Sequence, residues 1–362
     1  MNGRKAFKKR TLLAAFAIAF ISAPTLAQTP ATVGSTTTKL DEASMTEAKE
    51  LQDAGKIAEA IKILDKAIAR HPRCEALYTM RSDLRSEERN LEGAVADLNQ
   101  SITLNPQKRE LFNKRARIFL RVNQLEAAQY DINHALKLKP EDPESIALRG
   151  GLYSKLNRYD MALQDLNFAI LKDNKNAMAY LYRGAVEYKK KELKLAVADF
   201  TKAIELDPLH ARAYQSRGCT YGELGEYKKA LADLNKAAQR KVIGPQIYFN
   251  RGRVYYLMNE FEKALKDYNQ AIREGMPEKE PNAMVFLERA KVYLALGRAR
   301  QAMIDANHAI RTNNHDPRAY LLRAQIYKRM GNVEAEMKDV AKARELGATV
   351  KGLRPAASTA PE

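Results

Sequence analysis

The sequence predicts an all-α solenoid of about nine antiparallel helix pairs, and three observations carry that reading. The first is a period. Gly150, Gly184, Gly218 and Gly252 lie 34 residues apart, and alanines follow each of them at Ala162, Ala196, Ala230 and Ala264, then at Ala169, Ala203, Ala237 and Ala271. The second is a helical stripe in each half of the period. In "AYQSRGCTYGEL" Tyr214, Gly218 and Tyr221 stand at i, i+4 and i+7, and in "YKKALADLNKAA" Ala230, Leu234 and Ala237 do the same. The third is punctuation. Gly225 marks the turn inside a unit, and Pro72, Pro106, Pro140 and Pro208 end second helices because proline has no amide proton to continue the hydrogen-bonded ladder.

Taken in order, the units begin near residues 41, 75, 109, 143, 177, 211, 245, 283 and 317. One step departs from 34, the 38 between residues 245 and 283, where "GMPEKEPN" lengthens a loop. From the second unit to the ninth, the fourth residue is bulky: Tyr78, Phe112, Ile146, Tyr180, Tyr214, Tyr248, Phe286 or Tyr320. The small residue of the first helix lets the second helix approach closely, and tyrosines and leucines fill the remaining volume.

The order aromatic, Gly or Ala, Tyr, Ala, aromatic or Leu, Ala, Pro resembles the tetratricopeptide repeat. It is well kept by Tyr180, Gly184, Ala196, Phe200, Ala203 and Pro208, and by Tyr248, Gly252, Tyr255, Ala264, Tyr268 and Ala271. The resemblance covers residues 41 to 350, although the tryptophan usual at the first aromatic place is absent throughout. The end units depart most. Leu51 stands where the first needs Tyr and Glu336 where the last needs Ala, as expected of terminal caps with one unpaired face. The resemblance implies a right-handed superhelix, about one turn over nine units, whose concave groove is lined by first helices and grips peptide or protein segments. Repeats of this kind bind far more often than they catalyse.

An arginine and an aspartate recur sixteen residues apart: Arg81 with Asp97, Arg115 with Asp131, Arg149 with Asp165, Arg183 with Asp199, Arg217 with Asp233, Arg251 with Asp267, Arg289 with Asp305, and Arg323 with Asp339. The first unit, with Glu47 and Ile63, lacks both members. The two places lie symmetrically about the turn, at one height on the hairpin, and on the inward stripes of the two helices. The spacing therefore predicts a partly buried ion pair clamping each hairpin rather than an acid–base site.

The N-terminus predicts export. "MNGRKAFKKR" is basic, "LLAAFAIAFISA" is apolar but too short to cross a bilayer of about 30 Å, and "TLAQ" supplies Ala27 for cleavage. Residues 1–27 are thus read as a signal peptide, 28–40 as a linker, 41–350 as the repeat solenoid and 351–362 as a polar, disordered tail. The expected compartment is the periplasm or cell envelope, or outside the cell. Subtracting the five signal cations from the net charge of +17 leaves +12, which favours anionic partners. Nucleic acid is not expected of an exported chain. Cys74 and Cys219 are too few for a disulfide framework. His71, His134, His210, His308 and His315 show no metal-ligand spacing and read as surface or loop residues, and no phosphate-cradling glycine motif is present. No cofactor, metal or enzymatic activity is expected.

By resemblance, the groove-facing places are Lys114, Arg117 and Arg121 in the third unit, Lys155 in the fourth, Tyr182, Tyr188 and Lys189 in the fifth, Cys219 in the sixth, and Phe249, Asn250, Arg253 and Tyr256 in the seventh. Acids precede them as Glu42, Asp53, Asp83, Glu87 and Glu110. Cations, aromatics and the small Ala185 and Gly222 suit an extended acidic or aromatic peptide, since Arg and Tyr are frequent interface anchors. The Lys and Asn arrangement of the chaperone-tail clamp found in some relatives is not met. The function expected is that of a non-enzymatic scaffold binding a protein segment, with a basic module for an anionic envelope polymer or membrane surface as the alternative.

Overall fold

A computed structural model describes residues 39–239, 244–275 and 283–348. The expected signal peptide, residues 28–38 of the expected linker, and the expected tail lie outside the described residues, as do residues 276–282 of the long loop. The described residues form one compact unit. It contains eighteen helices: α1 (Lys39–Asp53), α2 (Ile57–Arg70), α3 (Glu75–Glu87), α4 (Leu91–Leu104), α5 (Arg109–Arg121), α6 (Leu125–Leu138), α7 (Pro143–Lys155), α8 (Tyr159–Lys172), α9 (Ala177–Lys189), α10 (Leu193–Leu206), α11 (Ala211–Glu223), α12 (Tyr227–Gln239), α13 (Gln246–Leu257), α14 (Phe261–Arg273), α15 (Ala283–Ala295), α16 (Ala299–Thr312), α17 (Pro317–Arg329) and α18 (Val333–Glu345). Lys39 and Leu40, read from the sequence as linker, belong to α1. Each odd-numbered helix pairs with the even-numbered one that follows, and successive odd-numbered helices also touch, α3 and α5 through the Lys114–Asp83 ion pair, so the first helices form a continuous wall. The fold is an all-α repeat solenoid.

Every turn inside a unit ends the first helix in the same way. The second residue beyond the helix adopts a left-handed backbone, with φ between 58 and 78°, at Gly55, Arg89, Asn123, Asn157, Lys191, Gly225, Asn259, Gly297 and Gly331. The following amide reaches back over the last turn, as Glu226 N–H does to the Tyr221 carbonyl at 2.9 Å, which satisfies a carbonyl the helix leaves open. Asn at three of these places tolerates the conformation, whereas Arg89 and Lys191 adopt it against their own preference.

The small residue of each first helix has the role its spacing predicts. A Cβ at Gly218 would stand 2.9 Å from Leu234, one at Gly184 2.9 Å from Phe200, and one at Gly252 2.8 Å from Tyr268, each closer than atoms pack. The space is taken by the second helix's largest buried side chain. Clusters of such contacts join each unit to the next, as when Leu181, Phe200, Tyr214, Leu234 and Ile247 pack across three consecutive units.

All eight arginine–aspartate pairs form. Arg217 donates from Nε to Asp233 Oδ2 at 2.7 Å and from Nη2 to Oδ1 at 2.9 Å, with side-chain exposures of 16% and 6%. The two-pronged geometry fixes one helix of the hairpin against the other. The guanidinium does more than pair. Its Nη1 reaches back to the second helix of the preceding unit, from Arg217 to Thr201 (3.0 Å), Arg183 to Asn167 (2.8 Å), Arg251 to Asn235 (2.8 Å) and Arg81 to Asp65 (2.6 Å). Arg115, Arg289 and Arg323 do likewise with Asn99, Asn269 and Asn307. An aromatic ring three residues earlier lies under the guanidinium, as Tyr214 does at 5.8 Å from Arg217. Arg149 has Ile146 in that place and is the most exposed of the eight, at 35%.

Removing one partner of a buried pair strands the other charge. Arg217→Ala is expected to cost about 3 to 5 kcal/mol in urea denaturation, and Arg217→Met combined with Asp233→Leu distinctly less. Equal losses from the two variants would contradict a buried clamp.

Candidate peptide-binding groove

The first helices carry the side chains expected in the groove, and the structure sorts them into groups. Lys114 on α5 is already paired, its Nζ 2.5 Å from Asp83 of the preceding unit. Arg117, one turn further on, gives one guanidinium edge to Glu144 of the following unit at 2.5 Å and leaves its buried Nε without an acceptor among the described residues. Along this wall a cation takes a carboxylate from the neighbouring repeat.

A second group centres on Glu223, at the end of α11. It accepts hydrogen bonds from the Tyr188 hydroxyl and, at 3.0 Å, from Lys191 Nζ, while Arg253 on α13 adds its field. These partners outweigh burial and hold the Glu223 carboxyl below its usual range. Cys219 lies beside Arg253 and Glu223, and burial pushes its thiol up to about 12, so it is a protonated packing residue at neutral pH. Cys74 is buried at 4% exposure in the core between the first two units, and both cysteines are free thiols.

A third group gathers around Tyr182 on α9. Its ring rests on Gly151 of α7, where a Cβ would stand 3.0 Å from the ring carbons. The fields of Arg117, Arg121 and Arg212 all reach its phenol. Arg121 and Lys155, although exposed, have their pKa values lowered, first by the protein packed around them and then by neighbouring cations: Arg212 and Arg89 act on Arg121, and Arg212 and Lys189 on Lys155. Like charges thus converge from α5, α7, α9 and α11.

One expected groove residue lies elsewhere. Phe249 is buried at 4% exposure, with its ring 5.9 Å from that of Tyr268 in the core shared by the seventh and eighth units. Its place on α13 faces the second helix instead of the groove. Asn250 accepts a hydrogen bond from Gln246 of its own helix at 3.4 Å, and Tyr256 meets the Phe261 ring at 5.8 Å. Four of the histidines are fastened into the fold rather than lying loose on its surface. His71 meets buried Asp41 at 2.6 Å, His134 stacks on Phe112 at 4.1 Å, His308 stacks on Phe286 at 3.9 Å, and His210 accepts the Ala213 amide at the start of α11.

Family profiles described as tetratricopeptide repeat match residues 45–109, 147–211, 200–232, 245–274 and 317–346, together more than half of the sequence. The chain belongs to the tetratricopeptide repeat family. A chain of the crystal structure of the APC/C hetero-tetramer Cut9–Hcn1 is similar to it with a TM-score of 0.72 at 14% identity, over 85% of this chain and 61% of that one. This tetratricopeptide repeat chain therefore spans less than two thirds of that relative's length. Pseudomonas aeruginosa pilF is similar with a TM-score of 0.51 at 16% identity, over 60% of this chain and 97% of that one. At such identities the likeness is one of fold. A search of curated proteins by sequence found no match.

Two features of this tetratricopeptide repeat chain escaped the sequence reading. Arg212 belongs to the cation group but sits in the first turn of α11; its signal in the sequence is a cation where the third and fourth units carry Glu110 and Glu144. Glu187 breaks the sameness of the eight pairs. The fourth residue after the clamp arginine is aromatic in most units, as Tyr221 is over Arg217 at 5.9 Å, but in the fifth unit it is a buried glutamate beside Asp199. Burial first, then the Asp199 charge, pushes its carboxyl up to about 7 against the pull of Arg183.

The sign of the resulting pH dependence follows directly. Between 4.5 and about 7 the unfolded chain has lost the Glu187 proton and the folded chain keeps it, so this group makes stability fall as pH rises through that window. Glu187→Gln removes the loss. Urea midpoints measured at intervals between about pH 5 and pH 8 should fall less steeply in the variant and lie above wild type at the alkaline end; parallel curves would contradict the assignment.

Proposed function

We propose that the chain is a non-enzymatic scaffold that holds a segment of a partner protein in its groove, exported to the periplasm or cell envelope. The observation that carries this reading is the uncovered inner wall. First helices of consecutive units touch along the solenoid, and the exposed cations and half-buried Tyr182 that they carry have no further helix packed over them among the described residues. A binding surface spread over several repeats in this way suits an extended chain, whose successive side chains meet successive units. The recurring arginines and aspartates supply no alternative centre of chemistry, being spent on one another in every unit where they occur. Family likeness supports the same reading, since a similar fold is found in a hetero-tetramer of two different proteins. Export rests on the N-terminal pattern of basic, apolar and small residues.

The excess of cations favours an anionic partner and keeps a second reading in play, a basic module for an envelope polymer or membrane surface. A photoreactive residue at position 253, in the groove, and one at position 228, on the exposed side of α12, separate the two. The scaffold reading expects discrete protein adducts from position 253 and none from position 228. Adducts of equal yield from both would favour surface binding by charge.

A further inference from the structure

Four cations of the groove break the pattern of its wall. Lys114 takes Asp83 from the preceding unit, Arg117 takes Glu144 from the following one, and Lys191 takes Glu223 from the next. Arg121, Lys155, Lys189 and Arg212, carried by α5, α7, α9 and α11, form no ion pair or hydrogen bond with any acid among the described residues. They are nevertheless close enough to depress one another, Arg121 feeling Arg212 and Lys155 feeling both Arg212 and Lys189. Helices α5, α7, α9 and α11 pack in sequence, so the four cations stand on one run of adjoining first helices, and Arg212 acts on Arg121 from three units away. Tyr182 lies among them, held flat by Gly151, and its hydroxyl has no hydrogen-bond partner among the described residues. Assembling like charges costs free energy that nothing described within the chain offsets.

We propose that Arg121, Lys155, Lys189 and Arg212, with the Tyr182 hydroxyl, form the docking site for an acidic run, two or more Asp or Glu side chains, on the partner protein. This deepens the scaffold reading and rests on it. Carboxylate is the ligand chemistry the neighbouring groove cations already take, and the guanidinium fork of Arg121 and Arg212 fits it in a two-pronged manner. The site draws on four consecutive units, α5, α7, α9 and α11, which an extended chain can follow from repeat to repeat. Its positive charges stand on separate repeats, matching carboxylates spaced along a strand better than one compact anion.

Fluorescence anisotropy of labelled decaglutamate and decaglutamine, with the full chain at near-physiological salt, tests the assignment. The decaglutamate should bind and the decaglutamine should not. Arg121→Ala, Lys155→Ala, Lys189→Ala and Arg212→Ala should each weaken decaglutamate at least tenfold, and Tyr182→Phe severalfold. The exposed controls Lys62→Ala, Lys228→Ala and Lys266→Ala should stay within twofold. Because the four cations repel one another, their alanine variants should melt no lower than wild type, whereas cations that merely held the fold would lower the melting temperature when removed. Equal losses in controls and site variants, or no decaglutamate binding, would overturn the site. Tripolyphosphate or phosphatidylglycerol vesicles binding through these residues while decaglutamate does not would overturn the peptide assignment. Protein adducts from position 253 with no effect of the four substitutions would sink this site and leave the scaffold reading standing; absence of those adducts would remove the scaffold reading itself.

Discussion

The structure depends on a guanidinium used three ways. In each hairpin from the second unit onward, an arginine closes a two-pronged bond onto the aspartate sixteen residues ahead. In seven of the eight, the remaining donor reaches back to an Asp, Asn or Thr of the unit before. An aromatic ring beneath most of these arginines keeps water from the pair. A repeat protein has no contacts between distant units to fix its curvature, so register must be set locally and copied. The clamp does this with one residue type. Where its aromatic support is missing, at Ile146, the arginine is wetter and makes the pair alone.

Much of this was legible in the sequence because repetition makes a structural role visible without an alignment. The 34-residue period, the small residue against the second helix and the pairing of Arg217 with Asp233 all follow from spacing. The back-bond also had a signal, since Asn99, Asn167, Asn235, Asn269 and Asn307 each follow a clamp aspartate by two residues, with Thr201 in that place before Arg217; spacing alone does not say that the partner lies on the next unit's arginine. A turn glycine replaced by Arg89 or Lys191 hides the left-handed residue that every turn needs. The burial of Phe249 had a signal in the repeat: the same place holds Ala147, Leu181 and Leu287 in other units, and all are buried as Phe249 is.

Sequence position says that Lys155 and Arg212 belong to different units; the folded chain brings them into one field. The structure divides the groove residues into a balanced node around Glu223 and an unbalanced one around Tyr182. The balanced node ties the fifth and sixth units together, with Tyr188 and Lys191 bonded to one carboxylate and Arg253 adding its field. The unbalanced node stores repulsion that an anionic ligand would relieve, and preorganised charge of this sort favours both rate and selectivity of association. Glu187, uniquely acidic among the residues that flank the clamps, places a carboxyl titrating near neutrality one residue from Tyr188 and two from Lys189.

The central claim is that the clamp arginine joins consecutive units as well as closing its own hairpin, and native-state hydrogen exchange tests it most directly. In an Arg217→Ala variant, amides of α10, in the preceding unit, should lose protection together with those of α11 and α12, because the bond to Thr201 is lost with the bond to Asp233. Loss confined to α11 and α12, with α10 as protected as in the wild type, would contradict the account.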